Sequence, residues 1–335
     1  MPRWRGGAHD EFDHRLAPGP VVEVLALGAT AQRVDVTGGD GVRRNIVLGH
    51  RSADERLASP DHIGGTIGRY ANRIASGRFP LDGREVVVGA HDRGNSLHGG
   101  PDGFHRRIWD VVAHDRDEVV LSLVSPDGDQ GFPGTVRARV TYRVDGDAVR
   151  VVMEATTDAP TVVNLTNHAY FNLDGEGAGT IDDHLLTVPA DDYTPVDATG
   201  IPVGGRAPVE GTRFDLRDGG RVGDAGGIDH NYVVRGDGLR VAAVVESPRT
   251  RTRLEVHSDQ PGLQVYTGNF LDGTHIGPSG RRYDRGAGIA LEPQFFPDSP
   301  NRPEWPSAAL RPGESYRSEL VWRFTRLGQL ALPSA

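Results

Sequence analysis

No cysteine occurs anywhere in the 335 residues, and no lysine either, so all 37 basic residues are arginine. Without cysteine there is no disulfide framework, no thiolate nucleophile and no iron–sulfur cluster. Without lysine there is no Schiff-base chemistry, no pyridoxal linkage and no P-loop kinase. Positive charge is short overall: 46 acidic against 37 basic residues give a formal net charge of −9. Nucleic-acid surfaces need clustered positive charge, so no nucleic-acid partner is expected. Long apolar runs are missing too, and nothing approaches the roughly 20 residues of a membrane helix. Residues 1–20 mix Arg, Asp, Glu and His with no run of signal-peptide length. The expectation is a cytoplasmic protein with neither membrane nor nucleic-acid partner.

What the chain does have is turns. Gly at 45 and Pro at 23 punctuate short alternating segments. Residues 136–144 and 148–154 alternate apolar with polar across Asp145-Gly146-Asp147, the clearest hairpin in the chain. A second hairpin is expected over 78–88 around Asp82-Gly83. Further strands are expected over 21–27, 110–113, 118–123, 241–246, 253–257, 263–267 and 315–324. Long helical periods are absent. Such spacing predicts an all-β protein of two packed antiparallel sheets. With no linker, charge block or repeat, one domain over 1–335 is expected, with ends near 1–20 and 326–335 that carry no clear element.

Three segments carry the chemistry. In the first, an apolar run over 288–291 delivers Glu292 into a turn crowded with Pro293, Phe295, Phe296 and Pro297. A carboxylate held still and partly dry has its pKa raised toward a useful general base, although a plain strand-end Glu would read the same. The second is Asn164-Leu165-Thr166-Asn167-His168-Ala169-Tyr170-Phe171-Asn172-Leu173, where amides surround a histidine. Imidazole exchanges a proton near neutrality, and so many amides suggest a polar pocket around it. A histidine satisfied structurally is the plainer alternative. The third is a pair, Gly68-Arg69-Tyr70-Ala71-Asn72-Arg73-Ile74 and Asn95-Ser96-Leu97-His98-Gly99-Gly100. Planar donors of this kind bind neutral sugars, and the two glycines permit positive φ and close backbone approach.

Together these segments resemble the aldose 1-epimerases, or mutarotases. The matching stretches are 68–74, 95–100 with Gly103-Phe104 and Trp109, 164–173, 191–197, 227–232, 261–273 and 291–301, in family order. The resemblance implies a large β-sandwich (the galactose mutarotase-like supersandwich) with a sugar cleft on one concave sheet. It also implies a cofactor-free acid–base reaction that opens and recloses the ring of free aldoses such as glucose and galactose. By resemblance Glu292 is the base at the C1 hydroxyl and His168 the acid at the ring oxygen, on opposite sides of the ring. His98, Arg73, Asn72, Asp229 and Gln264 are the implied sugar contacts. Taken without the motif, a turn cap is the plainer reading of Asp229, and backbone satisfaction at a strand start is the alternative for Gln264.

His230 is left structural, and His91, His105, His184 and His257 are expected at the surface. Two departures stand out: His105-Arg106 replaces an acidic-then-basic pair, and Pro293 replaces a common Thr. The rival readings are a glycoside hydrolase using Glu292 with Asp229, a metalloenzyme using His98, His168 and Glu292, and a non-catalytic sugar binder. No heptad or edge-strand signature sets an oligomeric state.

Overall fold

The computed structural model describes residues 3–6 and 19–328. Its largest element is a nine-stranded antiparallel sheet. The strand order is Asp110–His114, Glu118–Ser125, Val136–Asp145, Ala148–Thr157, Tyr316–Arg326, Thr252–Ser258, Arg240–Ser247, Leu185–Thr187 and Gly220–Arg221. The expected hairpin is there, with Asp145 paired to Ala148 across a two-residue turn. Its alternation has the predicted consequence: Ala138, Val140 and Tyr142 are buried while Arg137 and Arg139 face out.

A second antiparallel sheet of six strands runs Tyr170–Phe171, Ile289–Gln294, Gly262–Tyr266, Asp229–Val234, Ala190–Thr194 and Ala207–Pro208. Side chains alternate across a strand, so each of these segments presents two different surfaces. Leu263 and Val265, Ile289 and Leu291, and Tyr232 join Val140, Val151, Val256 and Trp322 of the larger sheet in one hydrophobic cluster. The intervening residues of the same strands point the other way. Burying each such aliphatic side chain stabilises the fold by about 1.5–3 kcal/mol. The two sheets are therefore joined through a shared core, as the alternation predicted.

A four-stranded sheet completes the frame: Arg3–Gly6, Val21–Leu25, Thr30–Thr37 and Arg43–Asn45. The Thr30–Thr37 strand was not expected. Gln32, Arg33 and Asp35 interrupt its apolar pattern, and a register shift sits between Glu23 and Val24 in its partner. Arg3–Gly6 likewise forms a strand inside the end expected to lack one; the rest of the first 18 residues and the last seven lie outside the described residues. Among the described residues the single α-helix is Ala53–Ala58, capped by the Ser52 hydroxyl accepting from the Glu55 N–H.

Pro293 lies in a strand flanked on both sides, a place where proline is normally excluded. The neighbouring Tyr170–Phe171 strand pairs only with Ala290 and Ile289, so it ends before it would need an N–H from residue 293. The substitution flagged in the sequence costs no ladder bond on that side.

Candidate active site

Three adjacent strands of the six-stranded sheet build the floor. Gln264 lies directly opposite Glu292, Asn231 opposite Gln264, and Asp229 opposite Tyr266. Period-two alternation thus sets Glu292, Gln264 and Asp229 on the surface away from the core. They line a cavity of about 370 Å³ together with Asn72, Arg73, His98, His168, His62, Asp61, Tyr170, Tyr266 and Phe270. All seven residues expected from the sequence meet in this one cleft.

Glu292 is 2% exposed, and its Oε2 has no hydrogen-bond partner among the described residues. Burial, reinforced by the nearby Asp229 charge, pushes its pKa well above the ordinary value against the pull of Arg73. His168 Nε2 lies 3.5 Å from Glu292 Oε1. Burial lowers this imidazole to about 4. The two side chains that the resemblance implies as base and acid are therefore within direct reach of each other.

His98 is placed by backbone. Its φ is +51, and Gly99 follows at φ +78. A Cβ on Gly99 would lie 2.1 Å from the Gly68 carbonyl oxygen, so only glycine lets the two chain segments touch. Asn72, whose N–H donates to His98 Nδ1 at 3.2 Å, comes from the segment that this contact draws in. With Nδ1 accepting, the neutral ring carries its proton on Nε2. Burial and the neighbouring His62 hold His98 neutral, well below its ordinary pKa.

That tautomer bears on metal binding. Ligand atoms of His98, His168 and Glu292 lie within 4.8 Å of one another. A metal-bound imidazole normally donates its other N–H to an acceptor. His98 instead faces a fixed backbone donor and offers an N–H where a metal would need a lone pair. The residues fit hydrogen bonding to a hydroxylated ligand better than they fit a metal.

Arg73 Nε donates to Asp92 at 2.8 Å, which anchors the guanidinium in the cleft lining. Gln264 Nε2 donates to Asp229 Oδ1 at 2.7 Å, while Gln264 Oε1 has no partner. Burial raises the Asp229 pKa, with Arg73 and the Gln264 bond opposing.

Other polar residues of the quoted segments work as staples. Arg69, 2% exposed, donates to the carbonyls of Ser125, Pro126, Pro133 and Gly134, and stays out of the cleft. Asn164 Nδ2 donates to the Ala71 carbonyl and its Oδ1 accepts from Phe295 N–H, tying the Arg73 segment to the end of the Glu292 strand. Asn167 donates to the Tyr142 hydroxyl and Asn172 to the Ala287 carbonyl, so the amides expected around a pocket brace its frame. Trp109 donates to the Phe104 carbonyl from within the core.

His230 packs at 4.3 Å on Phe214, consistent with a structural part. His105 and His184 are not surface groups: both are buried, and His184 Nε2 accepts from the Leu173 N–H. Nothing in their local sequence separates them from exposed histidines, since partners distant in sequence cover them. His62, Asp61, Tyr170, Tyr266 and Phe270 were not singled out as cleft residues. Tyr170 and Tyr266 occur inside quoted motifs, and the alternation that places Gln264 in the cleft also places Tyr266 there.

Comparison with known proteins agrees with this geometry. The family model described as aldose 1-epimerase matches residues 17–323. The galactose mutarotase of Rattus norvegicus is 41% identical over 96% of this chain and 95% of its own length. The aldose 1-epimerase of Escherichia coli is 42% identical over 91% of this chain and 92% of its own. Among solved structures, an aldose epimerase homologue from C. elegans superposes with a TM-score of 0.90 at 31% identity, covering 98% of this chain and all of that one. The galactose 1-epimerase of Lactobacillus acidophilus follows at a TM-score of 0.81 and 29% identity, covering 98% and 99%. With the family model and these relatives matched over nearly all of its length, the chain belongs to the aldose 1-epimerase family.

Proposed function

We propose that this cleft interconverts the α and β anomers of free aldoses, with Glu292 as base at the C1 hydroxyl and His168 as acid at the ring oxygen. The observation that carries the assignment is their 3.5 Å approach inside a dry cleft, with the carboxyl pKa raised and the imidazole pKa lowered. Such an interacting pair shares its protons and titrates as a unit.

One proton on the pair suffices for the whole cycle. Burial leaves the resting pair as protonated Glu292 beside neutral His168, so ring opening proceeds from the form in which that one proton has passed to His168, leaving Glu292 ionised. Glu292 takes the C1 hydroxyl proton, the C1–ring oxygen bond breaks, and His168 protonates the departing oxygen. The pair is then neutral on both members, the state that burial itself favours. The aldehyde turns about C1–C2, and closure on the other face runs the transfers backward. No proton enters or leaves, so the cleft can stay closed to water throughout.

Around this pair, the His98 Nε2–H supports the oxygen that gains charge, and Asn72, Arg73, Asp229 and Gln264 hold hydroxyls. Glucose and galactose are the proposed substrates, and the names of the mutarotase relatives support a galactose-type aldose. One domain is proposed as well, supported by the large core cluster that joins both sheets. Polarimetry on freshly dissolved α-D-glucose and α-D-galactose tests the reading. Wild type speeds equilibration and His168→Asn loses most of that gain; no acceleration on either sugar would overturn it.

A further inference from the structure

One wall of the cleft carries an imidazole that this mechanism does not use. His62 lines the same cavity as Glu292 and His168. Its ring centroid stands 4.7 Å from that of His98 and 5.8 Å from that of His168. Its backbone is held at φ +56, a conformation few non-glycine residues adopt. The Gly65 N–H donating to its carbonyl closes that turn. Strain of this kind persists only where surrounding structure enforces it.

Behind His62 stands a second imidazole. Nδ1 of His62 lies 3.1 Å from Nε2 of His105, with the rings edge-on at 4.5 Å. His105 is buried, lies outside the cleft lining, and its Nδ1 has no partner among the described residues. Burial keeps both rings neutral, His105 down to about 3. A single proton therefore lies between the two facing nitrogens.

Which ring owns that proton decides what the cleft sees. If His62 donated, His105 would bury an unpaired N–H beside a cation, since Arg56 Nη2 donates to the His105 carbonyl. If His105 donates, its buried Nδ1 is a bare lone pair, which a neighbouring guanidinium stabilises. The second arrangement is favoured, and it leaves the His62 proton on Nε2, the nitrogen not tied to His105.

We propose that His62 is a specificity residue for the aldose, presenting an Nε2–H donor to one sugar hydroxyl beside His98, with His105 as the positioning residue that fixes its tautomer. This rests on the epimerase reading of the cleft. It explains the departure at residue 105: an acidic side chain there would take a proton from His62 Nδ1 and turn Nε2 into an acceptor.

The test measures kcat/KM by polarimetry for glucose and its 2-, 3-, 4- and 6-deoxy analogues, with wild type, His62→Phe and His62→Gln. Loss of one neutral hydrogen bond is worth about threefold to tenfold. His62→Phe is expected to lose that factor on glucose, yet lose nothing further on the one deoxy sugar lacking the partner hydroxyl. His62→Gln, which keeps a donor, recovers part of the loss. Long-range 1H–15N spectra of the wild type should show Nε2–H on His62, and His105→Phe should scramble that tautomer. Equal loss on every sugar, or Nδ1–H on His62 in wild type, overturns the proposal; the spectrum decides it even if His62→Phe does not fold. Absence of wild-type activity on all five sugars would instead strike the epimerase reading.

Discussion

Replacing Glu292 by Gln should make the protein inactive and, above mildly acidic pH, more stable. The side chain is 2% exposed, its Oε2 has no partner among the described residues, and Oε1 lies 3.5 Å from the His168 Nε2. A carboxyl whose folded pKa is raised binds its proton more tightly in the native state than in the unfolded chain. Its cost to folding therefore begins above the ordinary value of 4.5, grows as pH rises, and is complete once pH passes the folded value. Each unit of elevation amounts to about 1.4 kcal/mol. An amide of the same shape does not ionise, so the variant escapes that cost while remaining as poorly hydrogen-bonded as the protonated acid. Calorimetry from pH 5 to pH 8 should show the melting temperature of Glu292→Gln rising relative to wild type. Polarimetry at pH 7 should show kcat falling by about 10²–10⁴, the usual contribution of a positioned base. A variant that keeps more than a tenth of wild-type kcat, or melts below wild type at pH 8, would refute the reasoning.

Other expectations follow from the same geometry. His168→Asn should lower kcat by about 10²–10⁴ while leaving KM nearly unchanged, read by progress curves at several sugar concentrations. Asp229→Asn should act mainly on KM, raising it about 10- to 100-fold as a charged hydrogen-bond acceptor is lost, which initial rates will separate from kcat. Acid should destabilise the fold through its buried imidazoles. Their folded pKa values, about 4 for His168 and about 3 for His105, lie below the ordinary 6.5, so the unfolded chain binds protons first and stability falls as pH drops below about 6.5. At pH 5 this amounts to about 2 kcal/mol for each such group, visible as a lower melting temperature than at pH 7.5. Gly99→Ala should cost about 2–4 kcal/mol and most of the activity, because its Cβ would meet the Gly68 carbonyl at 2.1 Å, a clash that denaturant titration will register.

Much of this was legible in the sequence because strands write their faces into a period of two. The alternation over 136–157 specified the hairpin, and the 288–291 run correctly delivered Glu292 to a dry position. Quoted motifs located His168, His98, Arg73, Asn72, Asp229 and Gln264 in one cleft. What the sequence hid depends on partners far along the chain. Arg69 and Arg73 sit four residues apart in similar company, yet one is clamped by carbonyls from 125–134 and the other opens onto the cleft. His105 reads as a surface group until His62 is folded against it. The Thr30–Thr37 strand was missed because its polar residues obscure the alternation.

The floor of the cleft is written on three neighbouring strands by parity alone: Glu292 and Gln264 face the cavity, while Leu291 and Val265 face the core. A slip of one residue in the pairing of Ile289–Gln294 would exchange the two sets, sending the carboxyl into apolar packing and setting leucine in the cleft. The catalytic face and the core are thus a single choice of register. A chain that pairs its strands wrongly here cannot persist as a stable but inactive enzyme, because the error that removes the base also destroys the core that would hold the fold.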